Sequence, residues 1–563
     1  MAKKADESRG GQPRPAARAG CCATIHHHSR QRALGRTAGN GLPPFSCVQA
    51  AHNPLAMTAI VVPIAAADPA ELILMSEAAR DQGADVVELR LDTCAEMADG
   101  LLDLTVFIAD LPCLALPAMV TLRHVDEGGS WAGGADERER LYALADAAGA
   151  KYIDMELAHD RGWRPEHAQL VLSFHDFSGM GGDLQSTITS MHAAGAAIAK
   201  VAVTPDDAAD LAAIERLYRH ATGPVCAIAM GEVGLPSRLL AGCWGAAFTF
   251  ARLDDAVGSA PGQPTVRELA ELYRLKAQGH DTRIFGVIGN PIRHSLSPLI
   301  HNTALAAQGI DAVYVPFLVR DALAFWHACG RFIDGLSITI PHKHDLLPAM
   351  ERCDPLVQRI GAMNTIWRDE DGHTVGTNTD AVAAIACVES QLGKLAGRRA
   401  ILLGAGGVAR AIAFALADRG VAVAIVNRSR ERAEALAQEM GGTVVDLDQA
   451  IHQPWDVLIN GTSVGMEAPT ESPWPADAHH AHRVVFDTVY TPLETRLLRD
   501  ALAADACTVG GLDMFIRQAA EQYTRFTHHE APVDIMHRVA LEQLQLRARK
   551  ATSGGATEVY RAK

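Results

Sequence analysis

The sequence has no uncharged apolar run near the roughly 18 residues that a membrane-spanning helix needs, and its 11 cysteines include no C-x-x-C pair. The first absence argues against a membrane helix. The second, with an odd cysteine count, argues against a disulfide framework or structural zinc site and for a reducing compartment. Positive charge is also scarce, with a formal net charge of −15. Residues 1–56 hold eight Lys/Arg against two Asp/Glu, a net of +6, so the remaining chain carries −21. An acidic body offers no basic face to nucleic acid, so neither nucleic acid nor membrane is expected as a partner. What is present is ordinary globular material, 48% hydrophobic and 21% charged, which excludes a mostly disordered chain. A length of 563 residues exceeds what one hydrophobic core serves, so two or more domains are expected.

Residues 1–56 are rich in Arg, Gly, Pro and Ala and show no sustained helical or strand period. The segment reads as a disordered leader. It is either an organellar transit peptide or an over-long start ahead of Met57, which directly precedes the strand-like Thr58-Ala-Ile-Val-Val-Pro-Ile64. The expected location is cytoplasmic, or plastid if the leader is a transit peptide. His26-His27-His28 resembles a metal tract, but plain disorder explains it as well. The polar stretch 547–563 reads as a flexible tail.

From 57 to 278 the pattern alternates short apolar runs with amphipathic stretches. The runs are Ile60–Ile64, Val86–Leu91, Met119–Leu122, Tyr152–Met155, Leu170–Phe174, Ile198–Val203, Val225–Ile228 and Ala246–Phe250. Eight such alternations predict an α/β fold, a (β/α)8 TIM barrel with its site at the C-terminal strand ends. Those ends are polar, finishing in Glu88-Leu-Arg90, Arg123 with Glu127 nearby, Asp154-Met-Glu156, Ser173-Phe-His175 and Lys200. Lys200 stands inside the apolar run 196–203, where desolvation disfavours the charged amine and leaves a nucleophile. A lysine snorkelling from a strand end is the competing explanation.

These pieces, with Gly234-Leu-Pro-Ser-Arg238 and Ser259-Ala-Pro-Gly-Gln263-Pro, resemble type I 3-dehydroquinate dehydratase. The resemblance implies that Lys200 forms an imine with the ring ketone of 3-dehydroquinate. His175 would then move the neighbouring proton and protonate the leaving hydroxyl, oriented by Glu127. It further implies a substrate pocket of Glu88, Arg90, Arg123, Arg238, Ser259 and Gln263, with no metal or cofactor.

Beyond a short polar linker at 279–283, the segment from Phe285 runs into Ser295-Leu-Ser297 at a helix start. Hydroxyls there suit either a substrate carboxylate or plain capping. The sequence Arg399-Ala-Ile-Leu-Leu-Gly404-Ala405-Gly406-Gly407-Val408 sets a strand before a glycine turn and a helix after it, as a dinucleotide pyrophosphate site requires. The next strand ends in Asn427-Arg428-Ser429-Arg430-Glu431-Arg432. An acid there would bind the ribose 2′-hydroxyl of NAD, whereas Arg428 and Arg432 suit the 2′-phosphate of NADP. Lys343 and Asp380 form a plausible acid–base pair for a carbinol, although taken singly they would be an ordinary ion pair.

Together with Ser337-Ile-Thr339, Asn364, Thr379-Asp380, Asn460-Gly-Thr462-Ser-Val-Gly465-Met466, Tyr490 and Gly511 to Gln518, this set resembles shikimate dehydrogenase. The resemblance implies a shikimate-binding domain over 284–380 and a Rossmann NADP domain over 381–527. A C-terminal helix over 528–546 would pack on the substrate domain. Lys343 and Asp380 become the catalytic dyad, Ser295 and Ser297 grip the carboxylate, and Thr339, Asn364, Thr379, Tyr490 and Gln518 hold the ring hydroxyls. Thr462, Gly465, Met466 and Gly511 would complete the cofactor site. Ser337, Ala381 and Asp513 depart from the usual family pattern, as in the fused two-enzyme form.

The expectation is a bifunctional enzyme, monomer or homodimer, whose substrates are 3-dehydroquinate, 3-dehydroshikimate and shikimate. A second half that prefers quinate, or one half that only binds metabolites, is the alternative.

Overall fold

A computed structural model of the chain describes residues 57–97, 103–253 and 262–552. The expectations for the leader, for Ser259 and for residues 553–563 lie outside the described residues.

The eight apolar runs form strands β1 (Ala59–Ile64), β2 (Val86–Arg90), β3 (Ala118–Thr121), β4 (Tyr152–Glu156), β5 (Gln169–Asp176), β6 (Ile198–Val203), β7 (Val225–Ala229) and β8 (Phe248–Phe250). They are parallel neighbours in the order β7-β6-β5-β4-β3-β2-β1-β8. Near the seam, the Ala247 N–H donates to the Val225 carbonyl at 2.8 Å, and the Ala59 N–H donates to the Ala247 carbonyl at 3.1 Å. The result is a near-closed TIM barrel. Its strands are mainly apolar, because helices cover one face and packed side chains fill the other, with the polar residues gathered toward their C-terminal ends. Every residue of β6 is buried, Lys200 included. The register pairs Ser173 with Lys200 and His175 with Ala202, which sets His175 one side-chain layer nearer the C-terminal mouth.

The second half carries two further sheets. One joins β9 (Arg283–Gly289), β10 (Ala312–Leu318), β11 (Gly335–Ile338), β12 (Arg352–Cys353), β13 (Thr365–Arg368) and β14 (Thr374–Thr377) in the mixed order β10-β9-β11-β13-β14-β12. The other joins β15 (Arg399–Leu403), β16 (Ala422–Val426), β17 (Thr443–Val444), β18 (Val457–Asn460), β19 (Val484–Asp487) and β20 (Cys507–Val509). Its order, β17-β16-β15-β18-β19-β20, is doubly wound, with the reversal between β15 and β18, where ligands bind at the carboxyl ends of the strands.

Two helices depart from their expected places. The helix Gly511–Thr527 is expected within the NADP domain, yet Ile516, Ala519, Tyr523 and Phe526 pack with Phe285, Ile300 and Tyr314 of the preceding domain. The last helix runs from Val533 to Thr552, past the expected end at 546, because residues 547–552 favour helix and the first glycine of the tail is Gly554.

The barrel and the reductase share a joint. The Trp244 and Phe332 rings meet edge to face at 5.9 Å, Arg331 pairs with Glu215, and Arg320 pairs with Asp206 at 2.8 Å. The Asp207 carboxylate accepts the Arg320 N–H at 2.8 Å, and the Arg274 guanidinium donates to the Ala312 carbonyl at 2.9 Å. Within the connection, the Gly279 N–H donates to the Thr282 hydroxyl at 2.8 Å, which donates to Asp311 at 2.7 Å.

Candidate active sites

Inside the barrel mouth, parallel pairing brings charged residues from five strands to one point. Lys200 Nζ lies 2.7 Å from Asp154 Oδ2 and 3.8 Å from Glu88 Oε1, with the Phe250 ring 4.5 Å away. Asp154 is fully buried; its other oxygen accepts from Arg123 at 2.7 Å and from the Ser173 hydroxyl at 2.6 Å. Burial opposes ionisation of Asp154, but the Arg123 and Lys200 charges outweigh it and hold the carboxyl far below its ordinary range. Arg123 also reaches Glu156 at 3.0 Å, and Glu156 pairs in turn with Arg138.

His175 sits above this cluster. Its Nδ1 is 2.9 Å from Glu127 Oε2, and its backbone N–H donates to the same oxygen at 3.0 Å. Burial, with Arg123 and Lys200 nearby, pushes the imidazole well below 6.5, so it is neutral at pH 7. Burial raises Glu127 to about 7, with Arg123 opposing the shift. Glu88 accepts the Thr121 hydroxyl at 2.9 Å. Arg90 forms a two-pronged pair with Asp92 at 3.0 and 2.7 Å. Arg238 differs from the other arginines: it is buried, yet among the described residues no carboxylate pairs with it and its Nε has no partner. Its guanidinium has one described bond, to the Phe250 carbonyl at 3.3 Å, and burial lowers it to about 10. A buried, uncompensated cation favours an anionic ligand. Gln263 is buried as well.

Asp154, Glu156, Ser173, Arg138 and Asp92 carry this network, and sequence reasoning assigns none of them a role. Three of them stand in the strand-end motifs, so the signal was an acid or hydroxyl at a barrel strand end.

In the reductase half, the short turn His342–His344 presents Lys343 to Asp380, in the first turn of the helix Thr379–Leu392. Lys343 Nζ and Asp380 Oδ2 are 2.5 Å apart. Beside the pair, Asn364 donates to the Thr379 hydroxyl at 3.0 Å and accepts the Thr379 N–H at 2.8 Å. Gln522 donates to the Asn364 carbonyl at 3.2 Å. The chain of bonds continues through Ser337, which donates to Gln522 at 2.9 Å and accepts from the Tyr314 hydroxyl at 2.7 Å. Tyr314 in turn meets Ser297, whose N–H donates to the Ser295 hydroxyl at 3.2 Å. Ser337 is thereby a link between two core residues. Thr339 is half-buried just beyond β11. Gln518 donates to the Phe515 carbonyl at 2.9 Å, and Tyr490 stacks on the Phe515 ring at 4.9 Å. No described hydrogen bond joins either of them to the dyad.

The proposed cofactor residues stand at the carboxyl ends of adjacent strands. Gly404 follows β15 with φ of +109°, and a Cβ there would lie 2.9 Å from Thr462, so only glycine lets the loops after β15 and β18 approach so closely. Gly406 and Gly407 face open space, and Gly406 offers no side chain to cap the helix Gly407–Asp418. The N–H groups of that first turn suit a pyrophosphate. Ala405 and Val408 flank this turn half-buried, while Gly465 is buried and Met466 exposed beyond β18. Asn427 closes the turn after β16, donating to the Ser429 carbonyl at 2.8 Å, and Ser429 caps the next helix at the Arg432 N–H. Arg430 is occupied by Glu434 and Asp446, whereas Arg428 and Arg432 are exposed and neither makes an ion pair among the described residues. The donor set fits a dinucleotide with an extra phosphate. At Gly511 a Cβ would lie 2.5 Å from the Thr488 carbonyl oxygen.

The chain matches the model of Type I 3-dehydroquinase over residues 60–280. It then matches the Shikimate dehydrogenase substrate binding domain over 287–366, Shikimate / quinate 5-dehydrogenase over 386–470 and the Shikimate 5'-dehydrogenase C-terminal domain over 511–541. The class is thus a type I dehydroquinase joined to a shikimate dehydrogenase. Over 504 residues the chain is 37% identical to the chloroplastic bifunctional 3-dehydroquinate dehydratase/shikimate dehydrogenase of Arabidopsis thaliana, covering 84% of this chain and 83% of that one. It belongs to this bifunctional family. The second half alone is 46% identical to the shikimate dehydrogenase (NADP(+)) of Haloarcula marismortui, over 45% of this chain and 97% of the relative. The solved shikimate 5-dehydrogenase of Thermus thermophilus, in complex with NADP(H) and shikimate, is 36% identical with a TM-score of 0.42. That match covers 46% of this chain and 99% of the other.

Proposed function

We propose that this chain catalyses two consecutive steps, dehydrating 3-dehydroquinate through an imine on Lys200 and reducing the resulting 3-dehydroshikimate at the Lys343–Asp380 dyad. The enzyme is a 3-dehydroquinate dehydratase and an NADP-dependent shikimate dehydrogenase. In the barrel, Lys200 attacks the ring ketone and water leaves as the imine forms, giving an electron sink for the adjacent carbanion. His175 takes the neighbouring proton: Glu127 in its ionised form accepts from Nδ1–H, which leaves the Nε2 lone pair as the base. The same nitrogen returns its proton to the departing hydroxyl. Arg238 receives the substrate's carboxylate, replacing an uncompensated buried charge by an ion pair, and Gln263 meets a ring hydroxyl.

The observation that carries this reading is Lys200 buried in the barrel core below a neutral His175 held by Glu127. Borohydride reduction in the presence of 3-dehydroquinate, followed by peptide mass mapping, is expected to leave an adduct on Lys200. A trapped enzyme modified elsewhere, or not at all, overturns the imine.

In the second half, NADP when bound supplies the hydride-transfer chemistry. Lys343 donates a hydrogen bond to the substrate carbonyl oxygen and passes its proton there, while Asp380, 2.5 Å away, holds the charged amine in place. Ser295 and Ser297 meet the carboxylate, and Asn364 and Thr379 a ring hydroxyl. Thr339, Tyr490 and Gln518 line the remaining hydroxyls. Arg428 and Arg432 take the 2′-phosphate, so removing both is expected to narrow the preference for NADP over NAD in shikimate oxidation.

No described helix is long and apolar enough to cross a membrane. We further propose that the enzyme is cytoplasmic and a monomer or homodimer. Localisation of a tagged full chain and its sedimentation test those two points.

A further inference from the structure

Three potential metal ligands meet at the barrel mouth and take no part in the chemistry above. His124 and Asp126 lie in the loop after β3, and His159 ends the short turn after β4. The imidazole rings of His124 and His159 are 4.0 Å apart, tilted by 38°. Asp126 Oδ2 lies 3.2 Å from His124 Nδ1 and 3.7 Å from His159 Nε2. One ligand atom from each residue falls within 4.8 Å of the others.

Two facing imidazoles repel when both are protonated. No Lys or Arg pairs with Asp126 among the described residues. The carboxylate therefore faces two imidazole rings, and the Asp126 N–H donates to His124 Nδ1 at 3.2 Å. The loop is anchored from behind, because Glu156 accepts the His124 N–H at 2.8 Å while bound to Arg123. Such anchoring of a ligand's backbone resembles the outer support of established metal sites.

The geometry points to a regulatory divalent-cation site in the dehydratase, for zinc by preference, formed by His124, Asp126 and His159. Two imidazoles and one carboxylate suit zinc with a fourth position left to water. Binding would draw all three ligand atoms to about 2.0–2.2 Å from the ion, pulling together the loops after β3 and β4. That movement acts on the reaction through chain neighbours: Arg123 precedes His124 and Glu127 follows Asp126. Zinc would displace Glu127 from His175 and slow the dehydratase, leaving the reductase untouched. This inhibitory effect rests on the roles proposed for Glu127 and His175, whereas zinc binding does not.

The test uses the full chain freed of metal with a chelator. Zinc affinity is read by competition with a chromophoric chelator, and ligand geometry by the visible absorption of bound Co2+. Three variants are compared: His159→Gln, His124→Gln, and a control with Gln at His26, His27 and His28. We expect the control to keep one site that His159→Gln and His124→Gln each weaken at least about 100-fold, with loss of the tetrahedral Co2+ bands. Zinc should inhibit the dehydratase of the unaltered chain but not that of His159→Gln, whose metal-free rate is unchanged. Reductase turnover reports that each variant is folded. Equal zinc affinity in His159→Gln and the unaltered chain overturns the site. Loss of binding with undiminished zinc inhibition overturns only its regulatory role.

Discussion

Asp154 shows how much of the dehydratase depends on one side chain that touches no solvent. Its two oxygens bind Lys200, Arg123 and Ser173 within 2.7 Å. Asp154→Asn leaves the charges of Lys200 and Arg123 less compensated in a buried pocket, a change expected to cost about 3–5 kcal/mol. Denaturant midpoints would read that loss, and dehydratase turnover should fall while shikimate oxidation persists. His301 offers a separate pH test. It is fully buried, stacked on Tyr314 at 4.3 Å, with Nε2 unpartnered, and burial lowers it to about 3. The unfolded chain therefore binds a proton between about 6.5 and 3 that the native chain refuses. Stability is full above that window and declines as pH falls through it, by up to about 1.4 kcal/mol per pH unit. His301→Phe should flatten that decline, as urea unfolding at several pH values would reveal. Lys200 was legible in the sequence because a lysine inside an apolar strand is conspicuous. Asp154 was not, because an acid at a strand end is common and its meaning arises only when pairing delivers Arg123 and Lys200 from other strands.

At the scale of elements, the barrel strands were readable because each is a short apolar run bounded by polar residues, and eight in succession have few other solutions. The helix Gly511–Thr527 was harder. Its place in the chain follows β20, but its apolar face belongs to the core around Phe285 and Tyr314, and a one-dimensional pattern does not say which core a face will meet. The network of Ser337, Tyr314 and Gln522 was hidden for the same reason, with partners up to 185 positions apart. The loop after β15 gives an element-scale prediction. Gly404→Ala forces an unfavourable left-handed conformation and a Cβ against Thr462. The KM for NADP is expected to rise at least about tenfold, equivalent to about 1.4 kcal/mol, with little change in the dehydratase.

For the whole molecule, the joint between barrel and reductase combines an aromatic contact, ion pairs and backbone bonds. Calorimetry of the chain is expected to show one merged transition, because Trp244 stays buried against Phe332 until the joint loosens. The double variant Trp244→Ala/Arg331→Ala should separate it into two, since the aromatic contact and the pair with Glu215 are both lost. Two distinct transitions in the unaltered chain would contradict this coupling.

The connection at Thr282 has an implication for how such fusions are inherited. Thr282 is buried and bonded to Asp311, so the covalent link is a seam within an interface and has none of the slack of a tether. Two genes encoding residues up to 279 and from 280 onward are therefore expected to yield products that find one another and co-purify. Fusion would then have made permanent an association that the surfaces could already sustain, and the two catalysts would travel through evolution as one heritable unit with fixed stoichiometry.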